Sequence, residues 1–183
     1  DVDPVTMNLD PLAVEAAITP RTRAVIPVHF AGHPCDMDSF VSIAKKHDLI
    51  LIEDCAHAIE TLYKGRHAGT FGDFGCFSFY VTKNVVTGEG GLVLTHSEEI
   101  ADRLKVLALH GLDRDAWKRF GDDGYRHYDV TECGFKYNMM DLQAAIGIHQ
   151  LARIEKTWLR RKAIWESYNA AFEGLPFVLP EPV

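Results

Sequence analysis

The stretch from Ala24 to Cys55, "AVIPVHFAGHPCDMDSFVSIAKKHDLILIEDC", decides the fold. Its opening, Ala24 to Phe30, is a continuous apolar run of the kind that suits a strand buried on both faces. "CDMDSFVSIAKKHD" then carries helical spacing, and Leu49 to Cys55 return to a second apolar run. Strand, helix and strand in that order make a βαβ unit, and such a crossover joins parallel neighbours. The unit closes on Glu53 and Asp54, at the carboxyl end of its second strand, where open α/β sheets bind their ligands.

Outward from this unit the alternation continues. Upstream, "DPLAVEAAI" offers Asp10 as N-cap and Pro11 in the first turn of a short helix. Downstream, "GCFSFY" and "GGLVLTH" predict two more strands. Only about ten residues separate them, too few for a helical crossover, so as neighbours they run antiparallel. "SEEIADRLKVLALHG" predicts a helix from an N-cap at Ser97 to a stop at Gly111. "GLDRDAWKRFGDDGYRHYDVTECGFKYN" is polar and aromatic without a clean period, a long excursion of functional rather than linker character. From Met140 to about Phe172, Leu142, Ile146, Leu151, Ile154, Trp158, Trp165 and Phe172 approximate helical spacing, which predicts a long helix, open to a break, leading out of the domain.

Composition bounds the function. A chain of 183 residues with 47% hydrophobic and 25% charged content can bury one substantial core. It opens on "DVDPVTMNLD" and closes on the proline-rich "GLPFVLPEPV", so it reads as a fragment of a longer protein. The net charge of -7 and the scattered basic residues argue against a nucleic-acid surface, and an anionic ligand would have to be held locally. No apolar run approaches the roughly 20 residues of a membrane span. Cys35, Cys55, Cys76 and Cys133 are widely spaced without a C-x-x-C pair, which suggests neither a zinc site nor a disulfide framework and favours a reducing cytoplasm.

The chemistry gathers on two residues. "SFYVTKNVVTGEGG", Ser78 to Gly91, sets Lys83 between an aromatic strand and a cluster of glycines. A single lysine is usually a surface charge, and Asp54 alone reads equally well as a cap for the turn that follows it. Together they are the two protein groups that pyridoxal phosphate chemistry requires. The lysine holds the aldehyde as a Schiff base, and the carboxylate keeps the pyridine nitrogen protonated. Gly88, Gly90 and Gly91 allow tight turns beside the lysine and take no ligand.

"VIPVHFAGHPCDMD", "LIEDCAHAIETLYKGRHAGTFGDFGCFSFYVTKNVVTGEGG" and "GFKYNMMDLQAAIGIHQL" resemble the DegT-type sugar-nucleotide aminotransferases, a fold-type I pyridoxal phosphate family. "KGRHAG" and "GFKYNM" look most like the enzymes forming UDP-4-amino-4-deoxy-L-arabinose and related sugar 4-aminotransferases. The resemblance implies an α/β fold, the central part of the large domain of such a transferase: a mostly parallel sheet with one antiparallel strand, flanked by helices. Residues 1–139 would belong to the cofactor-binding domain, and 140–183 to a helix leading towards a small C-terminal domain.

It also implies roles. Lys83 becomes the Schiff-base lysine and proton-moving base, Asp54 the partner of the pyridine nitrogen, His57 a neighbour of the cofactor ring and Ser78 a phosphate ligand. Lys136 and Asn138 fall in a segment that reaches the cofactor phosphate of a second subunit, so a homodimer is implied. Many members have Asn at the place of Lys136 and Arg at the place of Asn138. His110 and Gly111 match a loop near the site. The implied reaction is transamination of a nucleotide-linked keto-sugar with glutamate as donor, in the making of amino sugars for cell-surface polysaccharide or secondary metabolites. Alternatives are a sugar dehydratase, against which Lys83 speaks because such relatives carry His there, and a non-catalytic truncated or regulatory domain.

Overall fold

The computed structural model describes residues 1–113, 129–176 and 178–180, so most of the polar excursion that begins at Gly111 lies outside the described residues. Two compact units result: Asp1–Leu94 with Asp141–Val183, and Thr95–Met140. Among the described residues no helix is long and apolar enough to cross a membrane.

In the first unit, α1 (Pro11–Ala17) starts as its sequence predicts, with the Asp10 carboxylate accepting the Leu12 N–H at 2.9 Å. α2 (Met37–His47) is capped by Asp36, and Lys45, Lys46 and His47 in its last turn oppose the negative end of the helix dipole. It buries Met37, Phe40, Ile43 and Ala44, one face at helical spacing. Met37, Phe40 and Ala44 join Val25, Cys35 and Leu51 in the main core.

That core rests on the βαβ unit. β1 (Ala24–Val25) and β2 (Ile50–Asp54) are parallel, with Ala24 opposite Ile50 and Val25 opposite Leu51. The first strand departs from expectation in two ways. Its regular pairing is short because Pro27 has no N–H to give; contact resumes only where Asp54 N–H reaches the Pro27 carbonyl and His29 N–H reaches the Asp54 carbonyl. Nor is it buried on both faces: Val25, Pro27 and His29 point inward, while Ile26, Val28 and Phe30 stay open.

β5 (Phe74–Ser78) lies parallel to β2 with Asp54 opposite Cys76, and β6 (Gly91–Thr95) flanks β5, giving the order β1-β2-β5-β6. A small antiparallel hairpin, β3 (Leu62–Tyr63) and β4 (Arg66–His67), sits between β2 and β5 in the chain. The architecture is a mostly parallel sheet with one antiparallel pair, flanked by helices. The helix predicted from Met140 onward divides into α4 (Asp141–Leu151) and α5 (Ile154–Phe172). Its apolar side chains remain largely open; Gly147 is the one buried residue of α4, and α5 has none.

The second unit holds α3 (Glu98–Ala108), whose N-cap Ser97 accepts the Ile100 N–H. Gly111 closes the turn after it at φ +73, its N–H on the Val106 carbonyl. A Cβ there would fall 1.8 Å from the Glu132 carbonyl oxygen, so glycine is required by both conformation and space.

Candidate active site

The carboxyl ends of β2 and β5 hold the site. Adjacent residues of β2 point to opposite faces, so Glu53 goes into the protein and Asp54 does not. The Glu53 carboxylate is fully buried and accepts four N–H groups. Gly69 N–H (2.7 Å) and His29 Nε2 (3.2 Å) reach Oε2, while Phe71 N–H (2.6 Å) and Gly72 N–H (2.7 Å) reach Oε1. Cys35 N–H donates to His29 Nδ1 at 3.0 Å, which leaves Nε2 as the nitrogen that donates to Glu53. Burial pushes this carboxyl up, but His29 and the three backbone donors outweigh it and hold the group below its ordinary value.

His29, Glu53 and Cys55 lie close enough together to suggest a metal cluster. The donors already seated on Glu53 make it instead a hydrogen-bonded post that fixes the loop after β4 against β2. Gly75 lets the loop approach, since a Cβ there would stand 2.2 Å from the Gly69 carbonyl oxygen.

Asp54 is half-buried, and its Oδ1 accepts the Ala56 N–H at 3.0 Å. The turn-capping role therefore exists, but it occupies one oxygen; Oδ2 has no hydrogen-bond partner among the described residues. Ala56, His57, Ser78 and Lys83 line a cavity of about 290 Å³, together with Ala31, Ile59, Thr82, Asn84 and Arg161. Three sequence-predicted residues thus meet at one space. Asp54, the fourth, is not among the lining residues and precedes the lining residue Ala56 by two positions.

Each wall residue is held by local structure. The Tyr80 N–H donates to Ser78 Oγ at 3.3 Å, leaving the hydroxyl proton free to bond elsewhere. The ring of His57 is exposed, packs edgewise on Phe30 at 6.4 Å, and accepts the Ala31 N–H on Nδ1 at 3.4 Å. Lys83 follows a turn closed by its N–H on the Tyr80 carbonyl, and its side chain makes no hydrogen bond or ion pair among the described residues. Next to it, Asn84 Nδ2 donates to Glu60 Oε2 at 2.9 Å, and Glu60 Oε1 is buried without a partner among the described residues.

Asn84, Ala31 and Arg161 went unseen in the sequence reading. A stripe of basic residues at helical spacing in α5 was the available signal for Arg161. Lys136 and Asn138 belong to the second unit, where Lys136 Nζ donates to Asn138 Oδ1, so the two are occupied with each other.

The residues present suit pyridoxal phosphate: a free amine for an aldehyde, a hydroxyl for a phosphate and a carboxylate with an open oxygen for a ring nitrogen. Parallel α/β architecture with this set at its strand ends is the cofactor-domain arrangement of fold-type I pyridoxal phosphate transferases. The chain belongs to the DegT/DnrJ/EryC1/StrS aminotransferase family, which it matches over residues 1–183.

Among curated relatives it is 54% identical over 175 residues to the uncharacterized protein MJ1066 of Methanocaldococcus jannaschii, covering 96% of this chain and 45% of that protein. It is 50% identical over 176 residues to the spore coat polysaccharide biosynthesis protein SpsC of Bacillus subtilis, with the same 96% and 45% shares. Of solved structures, the sugar aminotransferase Spr1654 of Streptococcus pneumoniae in its PMP-form superposes with a TM-score of 0.86 at 33% identity, covering 95% of this chain and 49% of that one. The same protein is also known in a PLP-form. The chain spans about half the length of these relatives.

Proposed function

We propose that the full-length protein uses pyridoxal phosphate to transfer an amino group from glutamate to a nucleotide-linked keto-sugar, in the cytoplasm. One observation carries this reading: the unpartnered Lys83 amine opens on the same cavity as Ser78 and His57, in a chain of an aminotransferase family. Bound there, the cofactor would supply an electron sink for the substrate carbon. With the cofactor bound, Lys83 Nζ would carry a proton between the substrate carbon and the cofactor, as a positioned general acid–base group does. Asp54 Oδ2 would hold a proton on the ring nitrogen. The Ser78 hydroxyl would donate to a phosphate oxygen, and His57 would border the ring. Lys136 and Asn138 of a second copy complete the phosphate site, which makes the working unit a homodimer. The product is an amino sugar destined for cell-surface polysaccharide or a secondary metabolite, a reading that the name of SpsC favours.

The test is made on the full-length protein incubated with pyridoxal phosphate and borohydride. Mass spectrometry should find the reduced cofactor on the peptide containing "VTKNVV", and Lys83→Ala should lose both that adduct and 2-oxoglutarate production from glutamate. An adduct on Lys64 or Lys136, or none with cofactor in excess, overturns the assignment. Loss of a sugar hydroxyl without uptake of nitrogen would indicate the dehydratase instead.

A further inference from the structure

Arg153 stands at the N-cap of α5, and Lys156, Thr157, Arg160 and Arg161 follow at the i+3, i+4, i+7 and i+8 positions, which share one helical face. With Gln150 this face lines a cavity of about 750 Å³, whose remaining lining residues are Lys83, Asn84 and Val86. Lys83, Asn84 and Arg161 also line the smaller cavity at the candidate active site, so the two spaces share a wall.

Five basic side chains, Lys83, Arg153, Lys156, Arg160 and Arg161, therefore border one space in a chain of net charge -7. None has a carboxylate partner among the described residues. The contrast with Lys162 is plain: it pairs with Glu166 at 3.9 Å and lies over the Trp158 ring. Like charges at helical spacing repel one another. A face that keeps them together without counter-ions suits an anion brought from outside. From Arg153 to Arg161 the face runs about 12 Å along the helix at 1.5 Å per residue, more than one phosphate group covers and enough for two in series.

We propose that this face of α5 binds the diphosphate of the nucleotide-linked substrate, with Arg161 at the junction towards Lys83. The inference rests on the reading of the site as a sugar aminotransferase. It differs from that reading in naming α5, rather than the strand ends, as the determinant of substrate charge. A single phosphate belonging to the cofactor is the other source of the same chemistry, and the experiment separates the two.

Full-length wild type, Arg153→Gln/Arg160→Gln and Lys162→Gln are titrated calorimetrically with uridine diphosphate and with inorganic pyrophosphate, and pyridoxal phosphate affinity is measured separately by absorbance. Wild type should bind both diphosphates with an affinity that falls as salt rises. In the double variant both affinities should drop at least tenfold, with pyridoxal phosphate affinity within twofold of wild type, and Lys162→Gln should match wild type throughout. Circular dichroism verifies that the variants fold.

Undiminished diphosphate affinity in the double variant overturns the inference, as does failure of wild type to bind either diphosphate. An equal loss of pyridoxal phosphate affinity also overturns it, assigning the face to the cofactor. The aminotransferase reading fails separately, by absence of the borohydride adduct on Lys83, which requires no diphosphate.

Discussion

Glu53 and Asp54 are adjacent carboxylates with opposite duties. One is sunk among N–H donors and holds a loop; the other caps a turn and keeps an oxygen free. The sequence made Asp54 legible, because its place at a strand end and the presence of Lys83 point to one cofactor chemistry. Glu53 could not be read the same way, since His29, Gly69, Phe71 and Gly72 converge on it only after folding. Its carboxyl is held below an ordinary value of 4.5, so its contribution to stability is present above that pH and is lost as pH falls through the lower folded value. Urea denaturation from pH 7 down to pH 3 should show this acid limb in wild type. Glu53→Gln should flatten it and cost on the order of 3 kcal/mol at neutral pH, because backbone donors lose a charged acceptor. An unchanged acid limb would remove Glu53 from this account.

At the scale of elements, the βαβ unit was readable from its apolar runs, but the length of β1 was not. Pro27 marks where the ladder loses a donor, and hydropathy alone is blind to that. The α5 face shows the opposite difficulty: its basic periodicity is visible in the sequence, yet a charged stripe ordinarily means a solvated helix side. Only the placement of Lys83 and Asn84 along the same cavity gives it significance. The turn between β1 and α2 carries a further surprise at Ala31, which adopts φ 52 and ψ 21, a left-handed conformation unfavourable to a residue with a Cβ. Ala31 is exposed and lines the smaller cavity, so its methyl group contributes little packing. Ala31→Gly should therefore stabilise the protein by up to about 1 kcal/mol, after the extra backbone entropy of glycine is counted, and thermal or urea denaturation measures it. A destabilised variant would mean that the Ala31 side chain supports the turn in some other way.

Taken by itself, this chain, which spans about half the length of its relatives, leaves much apolar surface open: Leu142 is 77% exposed, Tyr137 75% and Ile148 67%. The spacing of Leu142 and its neighbours predicted the helix but not what covers it, since periodicity identifies a face and is silent about its partner. Full-length protein at micromolar concentration should sediment as a dimer, joined by an interface in the range of about 1,200–2,000 Å² or more. A monomer that retains full cofactor affinity would end the proposal that Lys136 and Asn138 serve a second copy. The Glu53 post has a kinetic side as well. A loop such as Gly69 to Gly72 ordinarily trades its amide protons with solvent quickly, yet three of its N–H groups are committed to a buried carboxylate. Deuterium can enter those positions only when the packing around β2 opens, so their uptake keeps time for that opening. Acid strong enough to neutralise Glu53, below the ordinary carboxyl value of 4.5, should raise exchange at these three amides, relative to their intrinsic rates, before the rest of the sheet responds.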